Sequence, residues 1–217
     1  MKSKSTDSGL FIQKNMFKEK NGEGGFGRAF VIYDRETKKE YISKFIIIEE
    51  DKKNDKESIK HKNDLFKREI EILNDLKTKN NPNIIQIIES GYDNIERINH
   101  KGKKMRYMVL EYAKNRELFD YIVYADEGLG ETYAKIIFKK ILNGMKCIHE
   151  SGYCHKDLSL SNIFLDENYE PKIGDFGAAM KNNNDLKEFI GTREFKAPEI
   201  IKKEAHDGQK ADIFNLG

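Results

Sequence analysis

Hydrophobic and polar positions alternate through much of the first half of the chain and recur at helical spacing in the second. FIQKNMF and RAFVIYD, separated by GEGGFG (Gly22 to Gly27), predict strand, glycine-rich turn and strand between Leu10 and Tyr33. YISKFIII (Tyr41 to Ile48) predicts a further strand. Leu65, Phe66, Ile70, Leu73 and Leu76 then recur as one stripe, which predicts a helix near 62–78 that Asn80 to Asn83, with Pro82, brings to an end. Ile84 to Glu89 and Met105 to Glu111 read as strands, giving about five in this half. After Tyr112 the pattern turns helical, with a short helix at Glu117 to Tyr124 and a long one at Glu131 to Glu150. Ala134, Ile137, Phe138, Ile141, Leu142, Met145 and Ile148 are expected to form its apolar face. Ala113 to Arg116 then reads as a hinge between a strand-rich lobe and a helical lobe, with a nucleotide-sized cleft expected below it.

Composition narrows the classes open to such a chain. Its 217 residues suffice for one or two domains with a real core. Lys and Arg number 39 against 37 for Asp and Glu, so a net charge of +2 gives no general field for nucleic acid or a membrane surface. Any phosphate site must therefore be local. No apolar run approaches the ~18 residues of a membrane span. MKSKSTDSG lacks a signal-peptide core, and Lys2 stands where myristoylation needs glycine. Cys147 and Cys154 have neither disulfide-framework nor metal-ligand spacing, and both are read as reduced packing residues. A soluble cytoplasmic protein is expected, with the nucleus also open to it. The charged and Asn-rich runs at 49–64 and 181–185 read as solvated loops or helix faces.

Three stretches carry candidate chemistry. In HKDLSLSNIFLDENYEPKIGDFG (155–177), Asp157 and Asn162 share a short polar loop, and Asp175 follows an apolar strand end inside a turn marked by Gly174 and Gly177. Two carboxylates and an amide so placed suit a hard divalent cation, which takes oxygen ligands and shares them with phosphates and water. Lys44 lies in an otherwise mostly apolar strand; it either meets a charge or faces solvent, and Glu69, beside the helical stripe, is the candidate partner. Gly22, Gly24 and Gly27 permit close backbone approach to phosphate oxygens, and equally an ordinary flexible turn. Strands on both sides of this turn count against a dinucleotide-binding fingerprint, which needs a helix at its last glycines.

Together these features resemble the eukaryotic protein kinase family, serine/threonine type. The resemblance runs in order through Gly22, Gly24 and Gly27, Lys44, Glu69, the hinge Glu111 to Ala113, HKDLSLSN, Asp175 with Phe176 and Gly177, and Ala197-Pro198-Glu199. It implies an α+β bilobal fold: a five-stranded antiparallel ATP-binding lobe with one helix over 1–112, and a mainly helical catalytic lobe over 113–217, truncated at Gly217. It also implies ATP with Mg²⁺, Mn²⁺ being an alternative, and a protein or peptide substrate, with neither nucleic acid nor membrane as partner. Lys44, held by Glu69, would bind phosphates; Asn162 and Asp175 would bind metal; Asp157 would orient and deprotonate the substrate hydroxyl. Ala29, Ile42 and Phe164 would enclose adenine, backbone groups of Glu111 and Ala113 would read it, and Glu117 would meet ribose or a basic substrate side chain. His155 would pack under Phe176. Asp212, in DIFNLG, would accept backbone amides of the catalytic loop.

Departures from the family pattern refine that expectation. Ser159 replaces the usual catalytic-loop lysine, and removing one donor from a preorganised site costs on the order of 10² in rate. Ala29, Ile42 and Phe164 stand for the usual valine, alanine and leucine, and overfilling such a pocket typically costs ~1 to 3 kcal/mol. These changes favour the alternative of a pseudokinase scaffold. A small-molecule kinase fits less well with Gly191, Thr192 and the Ala-Pro-Glu segment, which cradle peptide in the family. No Ser, Thr or Tyr lies between Asp175 and Gly191. Glu188 paired with Lys156, which stands where arginine is usual, is therefore expected to hold this segment ordered without phosphorylation. Glu199 would lack its usual arginine partner.

Overall fold

The computed structural model describes residues 10–12, 28–34, 37–48, 56–95, 103–125, 128–183, 186 and 196–217. The chain divides into two compact units. One comprises the described residues of Met1–Ile70 and Gln86–Tyr112, the other those of Glu71–Ile85 and Ala113–Gly217.

The first unit is built on an antiparallel sheet of β1 (Leu10–Ile12), β2 (Arg28–Asp34), β3 (Glu40–Ile47), β4 (Ile87–Ile95) and β5 (Lys103–Glu111), in the order β1-β2-β3-β5-β4. Alternation sets its two faces. Val31, Ile42, Lys44, Ile46 and Met108 project to one side by register. Phe30, Ile32, Phe45 and Val109 project to the other, where Phe30 stacks on Phe45 at 5.3 Å and Ile32 packs with Val109, Tyr41 and Tyr107. Helix α1 (Lys56–Lys77) starts earlier than the apolar stripe predicts, because its first turns, KESIKH, are rich in charge, and Glu57, Ser58, Lys60 and His61 are exposed. A solvated face carries no periodic signal.

The strand expected at Ile84 to Glu89 is corrected. β4 begins at Ile87, whereas Ile84 bridges Ile173 in parallel and the Ile85 amide donates to the Ile173 carbonyl at 2.9 Å. One apolar run therefore serves two separate ladders, which periodicity alone cannot divide.

In the second unit, α2 (Leu118–Val123) and α3 (Glu131–Glu150) are followed by three short ladder strands, β6 (Tyr153–Cys154), β7 (Ile163–Leu165) and β8 (Pro171–Ile173). β7 pairs with β8, and β6 with β9 (Met180–Lys181); α4 (Pro198–Ile201) and α5 (Gly208–Leu216) complete it. The bounds of α3 match the expectation, but its buried stripe is narrower: Ile137, Ile141, Gly144, Met145 and Ile148. Ala134, Phe138 and Leu142 are exposed, the last two at 43% and 40%, because they lie one position to the side of the row that meets β8.

Gly144 is where that row touches most closely. A Cβ there would lie 2.7 Å from Ile173 Cδ1 and 2.9 Å from the Asn83 carbonyl oxygen. Gly144→Ala is expected to lose ~1 to 3 kcal/mol of stability in urea unfolding, despite alanine's better helix propensity. An unchanged midpoint would show that β8 yields freely.

Both cysteines are free, and burial pushes the Cys154 thiol up to about 12, so it behaves as an inert packing residue. Among the described residues no helix is long and apolar enough to cross a membrane.

Candidate active site

In the first unit, β3 presents Lys44 between Ala29 of β2 and Met108 of β5. Its ammonium donates to both carboxylate oxygens of Glu69 on α1, at 2.8 and 3.0 Å. The side chains are 15% and 2% exposed, so two charges are withdrawn together and neither is left unpaired. The lysine of the apolar strand thus meets a charge rather than solvent. Ile42, two residues before Lys44, shares its face by alternation, as does Ala29 opposite it. At the sheet's end, the Glu111 amide donates to the Gln86 carbonyl, and a Glu111 carboxylate oxygen accepts from the Gln86 amide, both near 3 Å. That amide is committed within the sheet, so any contact to a base from Glu111 falls to its carbonyl.

In the second unit, β6 runs into the polar loop at His155, and a 3₁₀ turn at Leu160–Asn162 leads to β7. The loop is hung on one buried carboxylate. Asp212 of α5, 0% exposed, accepts the backbone amides of His155 at 2.7 Å and Lys156 at 2.8 Å, and also contacts His149 Nε2 at 2.9 Å. Gln209, one turn earlier, donates to the carbonyls of His149 and Tyr153. Lys156 is held in the left-handed region at φ 67°, a conformation that costs a non-glycine residue ~1 to 2 kcal/mol and that these bonds enforce. Its Nζ lies 3.3 Å from Met180 Sδ.

Within this loop, Asn162 is oriented by Asp157. Asn162 Nδ2 donates to the Asp157 carbonyl at 2.7 Å and to its carboxylate at 3.3 Å. The amide nitrogen is thus spent, and Oδ1 accepts no hydrogen bond among the described residues. The Gly174 amide donates to the Asn162 carbonyl at 2.9 Å, which ties the turn before Asp175 to the Asn162 turn. Asp175 is exposed and left-handed (φ 51°, ψ 74°), and its carboxylate caps the following 3₁₀ turn through the Gly177 amide. Phe176 is buried edge-on to His155 at 5.0 Å, and His155 Nε2 reaches the Gly174 carbonyl at 3.0 Å. His155 is therefore a packing residue that also fixes the Asp175 turn. No cluster of three or more Asp, Glu, His or Cys exists among the described residues. The oxygens present suit Mg²⁺, which is usually held by one or two carboxylates with phosphates and water completing its shell.

Phe164 of β7 bridges Glu117, so these two residues are brought together, while Ala113 is buried at the start of the second unit. Gly22, Gly24, Gly27, Glu188, Gly191 and Thr192 lie outside the described residues, and so does the expected pairing of Lys156 with Glu188. A burial that the sequence does not announce is that of Lys196. This residue is 4% exposed immediately before Ala197-Pro198-Glu199. Burial lowers its ammonium pKa, the Asp157 carboxylate opposes that shift, and Lys156 adds to it. Its only signal in sequence is a charge one residue before a small apolar anchor.

Comparison with known proteins identifies the family. The model of the protein kinase domain matches residues 16–217. The chain belongs to the protein kinase family. It is 35% identical over 200 residues to the probable serine/threonine-protein kinase MARK-C of Dictyostelium discoideum, covering 90% of this chain and 23% of that protein. It is 34% identical over 198 residues to the carbon catabolite-derepressing protein kinase of Saccharomyces cerevisiae, covering 90% of this chain and 28% of the relative. To the maternal embryonic leucine zipper kinase of Xenopus laevis it is 33% identical over 167 residues, covering 75% and 24%. The chain thus spans about a quarter of the length of these relatives.

Proposed function

We propose that this chain transfers the γ-phosphate of ATP, bound with Mg²⁺ or Mn²⁺, to seryl and threonyl hydroxyls of protein substrates. Residues 1–112 act as its ATP-binding lobe and 113–217 as its catalytic lobe. The reading is carried by Asn162, whose amide nitrogen is spent on Asp157 so that an oxygen remains for a cation. Lys44, held by Glu69, would bind the α and β phosphates and offset their negative charge, and Asn162 and Asp175 would ligate the metal. Asp157 accepts the substrate hydroxyl proton as the new oxygen–phosphorus bond forms, and the bond from the γ-phosphorus to the bridging oxygen breaks to release ADP. The adenine contacts proposed are Ala29, Ile42 and Phe164, with the Glu111 carbonyl and Ala113 backbone, and the glycines proposed to bind phosphate are Gly22, Gly24 and Gly27.

The segment from Asp175 to Gly191 contains no hydroxyl side chain, so activity is independent of phosphorylation there. Ser159 favours a second reading, a kinase-like scaffold that binds partners and transfers nothing. One assay separates the two. The full-length protein, given γ-labelled ATP, Mg²⁺ and a basic test protein, is expected to label serine or threonine, with a rate unaffected by phosphatase pretreatment. A rise in melting temperature with Mg²⁺ and ATP but no transfer would establish the scaffold.

A further inference from the structure

The segment between Asp175 and Gly191 has no hydroxyl side chain to phosphorylate, yet the turn that leads into α5 ties it down at two points. At the first, both ends of the Asn182 side-chain amide are engaged. Its Nδ2 donates to the Asp207 carboxylate at 3.0 Å, and its Oδ1 accepts the Gln209 amide at 3.2 Å. The Asn182 backbone amide donates to the Gly152 carbonyl at 2.8 Å. At the second point, Leu186 and His206 exchange two backbone hydrogen bonds, both of 3.1 Å. Leu186 is buried, with its side chain so close to Gly208 that a Cβ there would lie 2.8 Å from its Cδ1. Burial pushes the Asp207 carboxyl up, but the Asn182 side chain, the Lys210 and Gln209 backbone amides and the Lys210 charge hold it below the usual carboxylate range. The same helix start carries a second load. Gln209 donates to the His149 and Tyr153 carbonyls, and Asp212 accepts the His155 and Lys156 amides. One end of α5 thus holds both the loop of Asp157 and the segment that leads to Gly191 and Thr192.

Resting on the kinase reading, we propose that Asn182 is a positioning residue for protein substrate. Clipped to Asp207 and Gln209, and joined by the Leu186–His206 bridge, it fixes the segment ahead of Gly191 and Thr192 in relation to the catalytic loop without a phosphate. A neutral amide donating to a carboxylate needs no modification to form, and the charged acceptor makes it one of the stronger kinds of hydrogen bond. The clip is therefore complete as soon as α5 is in place.

The test combines steady-state transfer with amide hydrogen exchange in the full-length protein and its variants. Asn182→Asp sets a second carboxylate against Asp207. It is expected to raise KM for a basic test protein about tenfold, with kcat and KM for ATP close to wild type. The Leu186 and His206 amides are expected to exchange at least about tenfold faster, while those of His155 and Lys156 keep their protection. Adding Asp207→Asn restores one amide against one carboxylate and keeps an oxygen to cap α5, so both effects are expected to reverse. Asn182→Ala, which brings no like charges together, is expected to move both readouts in the same direction. Wild-type KM and exchange in Asn182→Asp and Asn182→Ala overturn the proposal, as does a loss that Asp207→Asn leaves unreversed. A KM that phosphatase treatment of the wild type raises as far as Asn182→Asp does also overturns it, because a phosphate would then be holding the segment. The kinase reading fails separately: wild-type protein would show no transfer that depends on Asp157, whereas exchange at Leu186 and His206 reads the clip whether or not phosphate is transferred.

Discussion

Asp157→Asn is expected to lower phosphate transfer by ~10² to 10⁴-fold, the usual worth of a positioned general base. The change is nearly isosteric, and the Asp157 backbone carbonyl, which takes the shorter bond from Asn162, is untouched. Asn162 should therefore keep its orientation, and the metal-dependent melting shift with ATP should survive. What disappears is the group proposed to receive the substrate proton. Single-turnover kinetics beside a thermal-shift titration checks both halves. Transfer at the wild-type rate would remove Asp157 from the role of base, and loss of the ATP shift would make it a binding residue.

Asp212→Asn is expected to cost ~2 to 6 kcal/mol, a large part of the ~5 to 15 kcal/mol that keeps an ordinary domain folded. The carboxylate accepts two backbone amides at 2.7 and 2.8 Å while fully buried. An asparagine offers one oxygen, so one amide would face an NH₂ group and go unsatisfied, at ~1 to 3 kcal/mol for each group stranded. The left-handed Lys156 would lose the restraint that holds it. Urea unfolding followed by circular dichroism measures the loss. A midpoint close to wild type would show that the loop is held by its other contacts, chiefly those of Gln209.

How far the sequence could be read depended on the kind of signal each residue left. Lys44 stood out because a charge in an apolar strand needs a partner, and Glu69 was the acid beside the nearest apolar stripe. The structure joins them in two hydrogen bonds. The spacing of Asp157, Asn162 and Asp175 points to oxygen ligands, but not to which atom of the Asn162 amide is engaged by Asp157, since that follows from hydrogen bonds inside the loop. Ile84, Ile85 and Ile87 look like one strand because hydrophobicity does not say which ladder a residue joins. Phe138 and Leu142 read as core because helical periodicity locates a stripe only to within about a residue. Lys196 was hidden for the opposite reason. A lone lysine in a polar stretch is ordinary, and only burial singles it out.

The hold of Asp212 on the catalytic loop also bears on how the protein is made. The two amides it accepts belong to residues 57 and 56 positions earlier. On the ribosome, the HKDLSLSN loop emerges and waits, its amides served by water, until α5 clears the exit tunnel. Closing a span of that length is entropically costly and slows the search. The loop that carries Asp157 and Asn162 therefore cannot be pinned in its final form until α5 has been made and has folded back onto it.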